Sequence, residues 1–126
     1  MVKPLVHIEV FGAEEVEKYL KDKTKEVQQR AAKAAMEAGF YMVGEVKESI
    51  AGQRDEPRSV DTGRFLNSVT MGETDDGTVV VYTDVEYAEG LEYGTTRLAP
   101  RRHFNNSADR NREKIKKFYE IEISNV

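Results

Sequence analysis

The stretch from residue 13 to residue 50 contains no proline and consists mainly of helix-forming residues. About 38 residues rising ~1.5 Å each would span ~57 Å, whereas a folded chain of this length has a radius of gyration of only ~14 Å. The predicted helix therefore either bends, with an interruption at Gly39 or Gly44, or extends from the body and is covered by another chain. Its apolar residues recur at helical spacing and predict a buried stripe: Val16, Leu20, Val27, Ala31, Ala34, Ala38, Met42 and Val46.

Alternation and turn residues predict the rest of the fold. Leu5 to Phe11 alternates as a strand does, and Val69 to Met71 with Val79 to Thr83 indicates a hairpin whose turn contains Asp75, Asp76 and Gly77. The segment 51–61 has the composition of a mobile loop. Three more helices are predicted: one N-capped by Asp61 and reaching Leu66, one N-capped by Asp84 and ended by Gly94, and one from His103 to Glu120. The tail from Ile121 to Ile123 alternates and is compatible with a strand.

Together these elements predict a single α+β domain over residues 1–126. A long N-terminal helix packs on a small antiparallel sheet, accompanied by a short helix and a C-terminal helix. The chain has no apolar run long enough to span a bilayer and no signal peptide after Met1, so we expect no membrane partner and a cytoplasmic site of synthesis.

Composition argues against most chemistry. The absence of cysteine excludes disulfides, thiolate zinc sites and thiol catalysis. His7 is expected on a strand surface and His103 at a helix start, and neither lies in a hydrolase signature. Glu86, Glu89 and Glu92 are expected on a solvated helix face. We therefore predict no catalytic residue, no cofactor site and no metal site.

Charge is distributed unevenly around a net value of −4. Residues 73–92 carry seven acids and no lysine or arginine: Glu73, Asp75, Asp76, Asp84, Glu86, Glu89 and Glu92. Residues 97–117 carry a net charge of +6, with eight basic residues: Arg97, Arg101, Arg102, Arg110, Arg112, Lys114, Lys116 and Lys117. The basic segment is either a surface for nucleic-acid phosphates or a surface that pairs with acids of the same or a neighbouring subunit.

Two motifs carry a family resemblance: VDTGRFLNSVT at residues 60–70 and YAEGLEYGTTRLAPRRHF at residues 87–104. Their order, after a long helix and before a last helix, resembles the neck and tail-completion proteins of siphovirus-like tailed phages, also labelled minor tail or head-tail joining components. The residues that match this pattern most closely are Thr62, Gly63, Arg64, Tyr87, Glu92, Tyr93, Gly94, Thr95, Pro100 and Phe104. In this reading Gly94 supplies a left-handed turn, Thr95 bonds the freed backbone, and Tyr87, Leu91 and Tyr93 hold the short helix on the sheet.

The resemblance implies a structural virion protein without enzymatic activity. Its expected partners are further copies of itself in a ring, hexameric by the same resemblance, and other neck or tail proteins. DNA would pass through the lumen and make non-specific contact there. We expect the protein in the virion neck or tail after assembly in the host cytoplasm, and we expect the acidic segment 73–92 of one subunit to face the basic segment 97–117 of the next.

Overall fold

Three short strands and five helices make up the computed structural model, which describes residues 6–10, 25–75 and 78–124. In chain order they are β1 (Val6–Glu9), α1 (Lys25–Ile50), α2 (Arg64–Ser68), β2 (Thr70–Glu73), β3 (Val79–Thr83), α3 (Ala88–Tyr93), α4 (His103–Arg110) and α5 (Arg112–Ser124). The α+β class is confirmed, with α1 packed on strands β2 and β3 and on helices α4 and α5.

The sheet is antiparallel with the strand order β1-β3-β2, so β3 is central and the other two strands form its edges. Val6, Ile8 and Val10 are buried, as the alternation predicted, while Leu5 and Phe11 lie outside the described residues. The backbone N–H of Thr74 donates to the carbonyl of Thr78 at 2.9 Å and closes the predicted hairpin. The turn residues Asp76 and Gly77 also lie outside the described residues.

Helix α1 runs without interruption through both glycines, and the predicted residues 13–24 of this helix are outside the described part. Its alanine-rich stripe is buried as predicted. Gly39 is not a break but a contact with the sheet: a Cβ there would lie 2.8 Å from Met71 Cε and 2.9 Å from Val79 Cγ1. The missing side chain therefore lets the helix approach the strands closely.

The C-terminal region corrects two predictions. The single helix from His103 to Glu120 is wrong, because the chain breaks at Asn111 into α4 and α5. The buried Asn111 side-chain amide donates to Glu45 Oε1 at 3.0 Å and to the Ser107 carbonyl at 2.8 Å, a carbonyl that also accepts from the Asn111 backbone N–H at 3.2 Å. The backbone of Asn111 leaves the helical conformation there, with φ −112° and ψ 14°. The strand predicted for the tail is also wrong, since α5 continues to Ser124.

Both predicted aspartate caps are wrong as well. Helix α2 begins after Gly63, which has a positive φ of 87°, and α3 begins after Tyr87; neither position makes a side-chain capping bond. The hydroxyls of neighbouring threonines take the local bonds instead: Thr62 Oγ1 accepts from the N–H of Arg64, and Thr83 Oγ1 accepts from the N–H of Val85. Whether the segment 51–61 is mobile, and whether residues 1–126 form one domain, stay predictions.

Candidate functional site

The second motif is a connector that joins the end of α3 to the start of α4. Glu92 is only 1% exposed, and its carboxylate accepts hydrogen bonds from the N–H of Phe104 at 2.9 Å, the N–H of Asn105 at 2.8 Å and the Asn105 amide at 2.8 Å. The first turn of a helix has unpaired N–H groups and a positive partial charge, so a buried carboxylate stabilises it. The expectation that Glu92 is solvated is wrong: it caps α4 from the preceding helix.

Gly94 makes the sharp turn that this arrangement needs. Its φ of 84° and ψ of 164° lie in a region that is essentially restricted to glycine. A Cβ at this position would lie 2.9 Å from Pro100 Cδ and 3.0 Å from the Leu98 carbonyl. The chain then returns, and the N–H groups of Arg101 and Arg102 donate to carbonyls at the end of α3.

Thr95 forms hydrogen bonds with the backbone, as predicted, but with the turn that follows α3 and not with the end of that helix. Its Oγ1 accepts from the N–H groups of Arg97 and Leu98 at 3.2 and 3.1 Å. Tyr93 does not hold α3 on the sheet, because it is 51% exposed and the buried residues of this helix are Ala88 and Glu92. Tyr87 is also exposed.

A salt bridge joins Arg64 of the first motif to Glu86, the residue just before the second motif. The guanidinium Nη1 and Nη2 donate to the two carboxylate oxygens at 2.8 and 2.7 Å, in the bidentate geometry that arginine favours. The hydrogen bonds from Arg64 lower the pKa of Glu86 to about 2. The same guanidinium lies 5.8 Å from the ring centroid of Tyr87, whose edge packs on the buried Phe65.

A buried chain of polar groups connects α1, α4 and the segment 51–61. Ser49 Oγ donates to Glu56 Oε1 at 2.5 Å, so its oxygen accepts the hydrogen of His103 Nδ1 at 2.8 Å. That assignment leaves His103 Nε2 as the acceptor of the Ser59 hydroxyl at 2.7 Å. Arg101 Nη1 in turn donates to Ser59 Oγ at 2.8 Å.

Salt bridges complete this polar chain. Arg110 donates to both carboxylate oxygens of the buried Glu56 at 3.1 and 3.2 Å. Burial opposes ionisation of Glu56, but the hydrogen bonds from Arg110, Ser49 and Asn106 outweigh it and lower its pKa. Glu56 lies within the predicted loop, whose polar composition gave no sign that one of its acids is buried.

The Ser59–His103 pair resembles the nucleophile and base of serine hydrolases in distance only. Burial lowers the pKa of His103 to about 4, with the nearby Glu56 raising it and Arg101 lowering it further, so the imidazole is a weak base. Its Nδ1–H points to a serine, whereas a hydrolase triad places a carboxylate there. The prediction that His103 starts a helix is confirmed, and its buried partners were missed.

The basic segment 97–117 does not form one uniform surface. Arg101 and Arg110 are bonded inside the subunit as described above, and Arg102 and Arg112 both reach Asp109, at 3.6 and 2.8 Å. Lys114 lies 5.6 Å from the ring centroids of Tyr41 and Phe118. The remaining three basic residues are exposed: Arg97, Lys116 and Lys117.

The acidic segment is more open. Among the described residues, three of its acids are exposed and make no salt bridge to a basic side chain: Glu73, Asp84 and Glu89. Asp75 is also exposed, Glu86 is bound to Arg64, and Asp76 lies outside the described residues. Within residues 6–10, 25–75 and 78–124, no group of three or more histidine, aspartate or glutamate side chains is arranged to hold a metal ion. None of the described helices is both long and apolar enough to cross a bilayer.

Large apolar side chains are exposed at separate places on the molecule. Phe40 is 66% exposed on the outer face of α1, where Met36 lies one turn before it. Tyr87 and Tyr93 are exposed at the start and the end of α3, and Ile121 is 61% exposed on α5. The sequence analysis did not single out Met36 and Phe40 as exposed apolar residues, although neither belongs to the buried stripe predicted for this helix.

The family model described as "Bacteriophage HK97-gp10, putative tail-component" matches residues 14–94. The chain belongs to this family. The matched range contains the whole first motif and the second motif as far as Gly94, and it ends before Pro100 and Phe104. Comparisons with curated proteins and with solved structures give no match.

Proposed function

We propose that the chain is a non-enzymatic structural protein of the virion of a tailed phage or provirus. In this proposal it forms or joins an oligomeric ring at the head-tail junction or the tail terminus, and it contacts other neck or tail proteins. Membership of the tail-component family carries the proposal. The buried polar groups support it, because Glu92 and Glu56 are used to position helices and a loop.

The virus itself provides the decisive test. Deleting the gene from the phage or provirus that carries it should leave heads and tails that do not join, or tails with an incomplete end, in electron micrographs of lysates. Supplying the gene in trans should restore joined particles, and mass spectrometry of purified virions should detect the chain. Normal, infectious virions in the deletion lysate would overturn the proposal.

The ring geometry is also part of the proposal. Six subunits, a lumen through which DNA passes, and assembly in the host cytoplasm follow from the resemblance of the motifs. The charge-based contact between segments 73–92 and 97–117 stays a prediction in a narrower form, because Arg101 and Arg110 already bind within the subunit. The exposed Lys116 and Lys117 are therefore the better probes of that contact.

A further inference from the structure

The outer face of α1 carries an apolar strip that faces away from the core. Ala32, Met36, Phe40 and Gly44 follow one another at intervals of four residues and are all exposed. Residues four apart lie on one face of a helix, so these four form a continuous strip. An exposed aromatic ring beside a methionine is typical of the centre of a protein–protein interface.

A second exposed surface, the α3 surface, is formed by the aromatic residues at the two ends of α3. Tyr87 immediately precedes the helix and Tyr93 ends it, and both are exposed, with Glu89 and Gly90 between them in the sequence. Tyrosine is enriched at interfaces because its ring is large and rigid and its hydroxyl tolerates water. The surface is held in place by the capping contact of Glu92 and by the packing of Tyr87 on Phe65.

The two surfaces belong to helices that pack on different parts of the sheet. Helix α1 packs on the central strand β3 and the edge strand β2, whereas α3 packs on the other edge strand, β1. A head-to-tail contact requires two different surfaces on each subunit, since each copy offers one to each neighbour. Such a contact closes into a ring when the rotation between copies allows it.

Charge complements this arrangement. Lys33 and Lys47 lie beside the apolar strip of α1, and the largely exposed Lys33 ammonium lies 3.5 Å from Glu122 and 4.0 Å from Glu37. The α3 surface instead carries the exposed Glu89, while the nearby Glu86 is bound to Arg64. Opposite charges around two apolar centres fix orientation and speed association.

We propose that copies of this chain associate head to tail, with the α1 strip around Phe40 of one copy bound to the α3 surface around Tyr93 of the next. This inference rests on the proposed ring and names the surfaces that build it. It makes α1 the partner of the acidic α3 surface, which is an alternative to the contact with the basic segment 97–117 predicted above, and the experiment below distinguishes the two.

Sedimentation velocity of the full chain against concentration tests the contact with two variants. Phe40→Asp damages only the α1 surface and Tyr93→Asp only the α3 surface, so each variant alone should dissociate at least ~30-fold more readily than the wild type. An equimolar mixture of the two should form a dimer and nothing larger, because it contains one intact pair of surfaces. Ile121→Asp, which changes an exposed apolar residue of α5 and no residue of the two surfaces, should associate as strongly as the wild type.

The outcomes separate the alternatives. Association of the Tyr93→Asp variant at wild-type strength, or a mixture that stays monomeric, would overturn the head-to-tail contact. If the double variant Lys116→Glu, Lys117→Glu associated more weakly than the wild type while Phe40→Asp associated as strongly as the wild type, the basic segment would be the contact surface. That result would also overturn the proposed contact. A wild-type chain that stays monomeric at every concentration would overturn it too, whereas the virion role is decided separately by the gene deletion.

Discussion

At the scale of single residues, Glu92 shows how a motif position acquires a structural role. In the sequence it repeats the spacing of Glu86 and Glu89, yet it alone of the three is buried. The N-cap position of α4 is Arg102, which has a left-handed φ of 52° and makes no side-chain capping bond. The carboxylate of Glu92 therefore replaces the local cap that the helix lacks.

We expect Glu92→Ala to destabilise the fold by about 2–3 kcal/mol, because it leaves the buried N–H of Phe104 and that of Asn105 without an acceptor. Urea denaturation measures the change. The control is Glu89→Ala, which removes an exposed carboxylate from the same helix and should change the free energy of unfolding by less than about 0.5 kcal/mol. Equal effects of the two substitutions would contradict the capping role.

His103 predicts a pH dependence whose sign is fixed by its burial. Its pKa falls from 6.5 to about 4 on folding, so the unfolded chain binds the proton first as pH decreases. The stabilisation that the neutral His103 provides is fully present above pH 6.5 and is lost as pH falls toward 4. The free energy of unfolding should therefore decrease by about 2 kcal/mol between pH 7 and pH 5. Denaturation of the wild type and of His103→Gln at both pH values checks this. The variant should be less stable than the wild type at pH 7, but its free energy of unfolding should change less between pH 7 and pH 5, because it lacks the titrating imidazole. An identical pH dependence in the two proteins would refute it.

At the scale of elements, periodicity predicted more than local capping signals did. The burial of Val6, Ile8 and the α1 stripe follows from alternation and from helical spacing, which reflect the face that each element presents to the core. The caps at Asp61 and Asp84 were wrong because the hydroxyls of the adjacent threonines, Thr62 and Thr83, take the local bonds. The unbroken C-terminal helix was wrong at a residue bonded to a distant part of the chain: Asn111, at the break, donates to Glu45, 66 positions earlier.

The candidate sites divide in the same way. The connector around Gly94 could be predicted because a positive φ selects glycine at a fixed position. The polar chain through Ser49, Glu56 and His103 could not, since it joins three segments whose separate compositions are ordinary. A sequence pattern records which face of an element is apolar, and it does not record which polar groups meet after packing.

The two glycines of α1 provide a matched pair for the helix. At Gly44 a Cβ meets nothing within 4 Å, so Gly44→Ala should stabilise the fold by about 0.5–1 kcal/mol through helix propensity. At Gly39 the same change gains the same propensity but pushes against Val79 Cγ1 at 2.9 Å, and we expect net destabilisation of about 1–3 kcal/mol. Chemical denaturation at a concentration where the chain is monomeric measures both, and stabilisation by Gly39→Ala would contradict the close packing of α1 on the sheet.

At the scale of the whole molecule, the fold changes the meaning of the charge pattern. The basic segment has a net charge of +6 in the sequence, but Arg101, Arg102, Arg110 and Arg112 are engaged with polar or acidic partners of the same chain. Much of that charge therefore stabilises α4 and α5 and their contacts, within a chain whose net charge is −4. Packing thus converts an apparent phosphate-binding segment into one that mainly supports its own subunit.

Duplex DNA binding by the isolated chain should accordingly be weak. The cations of the basic segment that remain available to phosphates are the exposed Arg97, Lys116 and Lys117, together with Lys114, which lies over two aromatic rings. With four such contacts, a plot of the logarithm of the binding constant against the logarithm of the salt concentration should have a slope no steeper than about −4. The dissociation constant near 0.15 M salt should exceed ~10⁻⁴ M. Fluorescence anisotropy of a labelled duplex at several salt concentrations measures both quantities, with Lys116→Glu, Lys117→Glu as the variant that should flatten the slope by about two phosphate contacts. A slope near −8 with micromolar affinity would contradict this expectation, and the lysine variant would then locate the surface. A slope that flattens in Lys116→Glu, Lys117→Glu would make the basic segment the nucleic-acid surface, whereas an unchanged slope would assign the contact to basic residues elsewhere in the chain, such as the exposed Lys25 and Arg58.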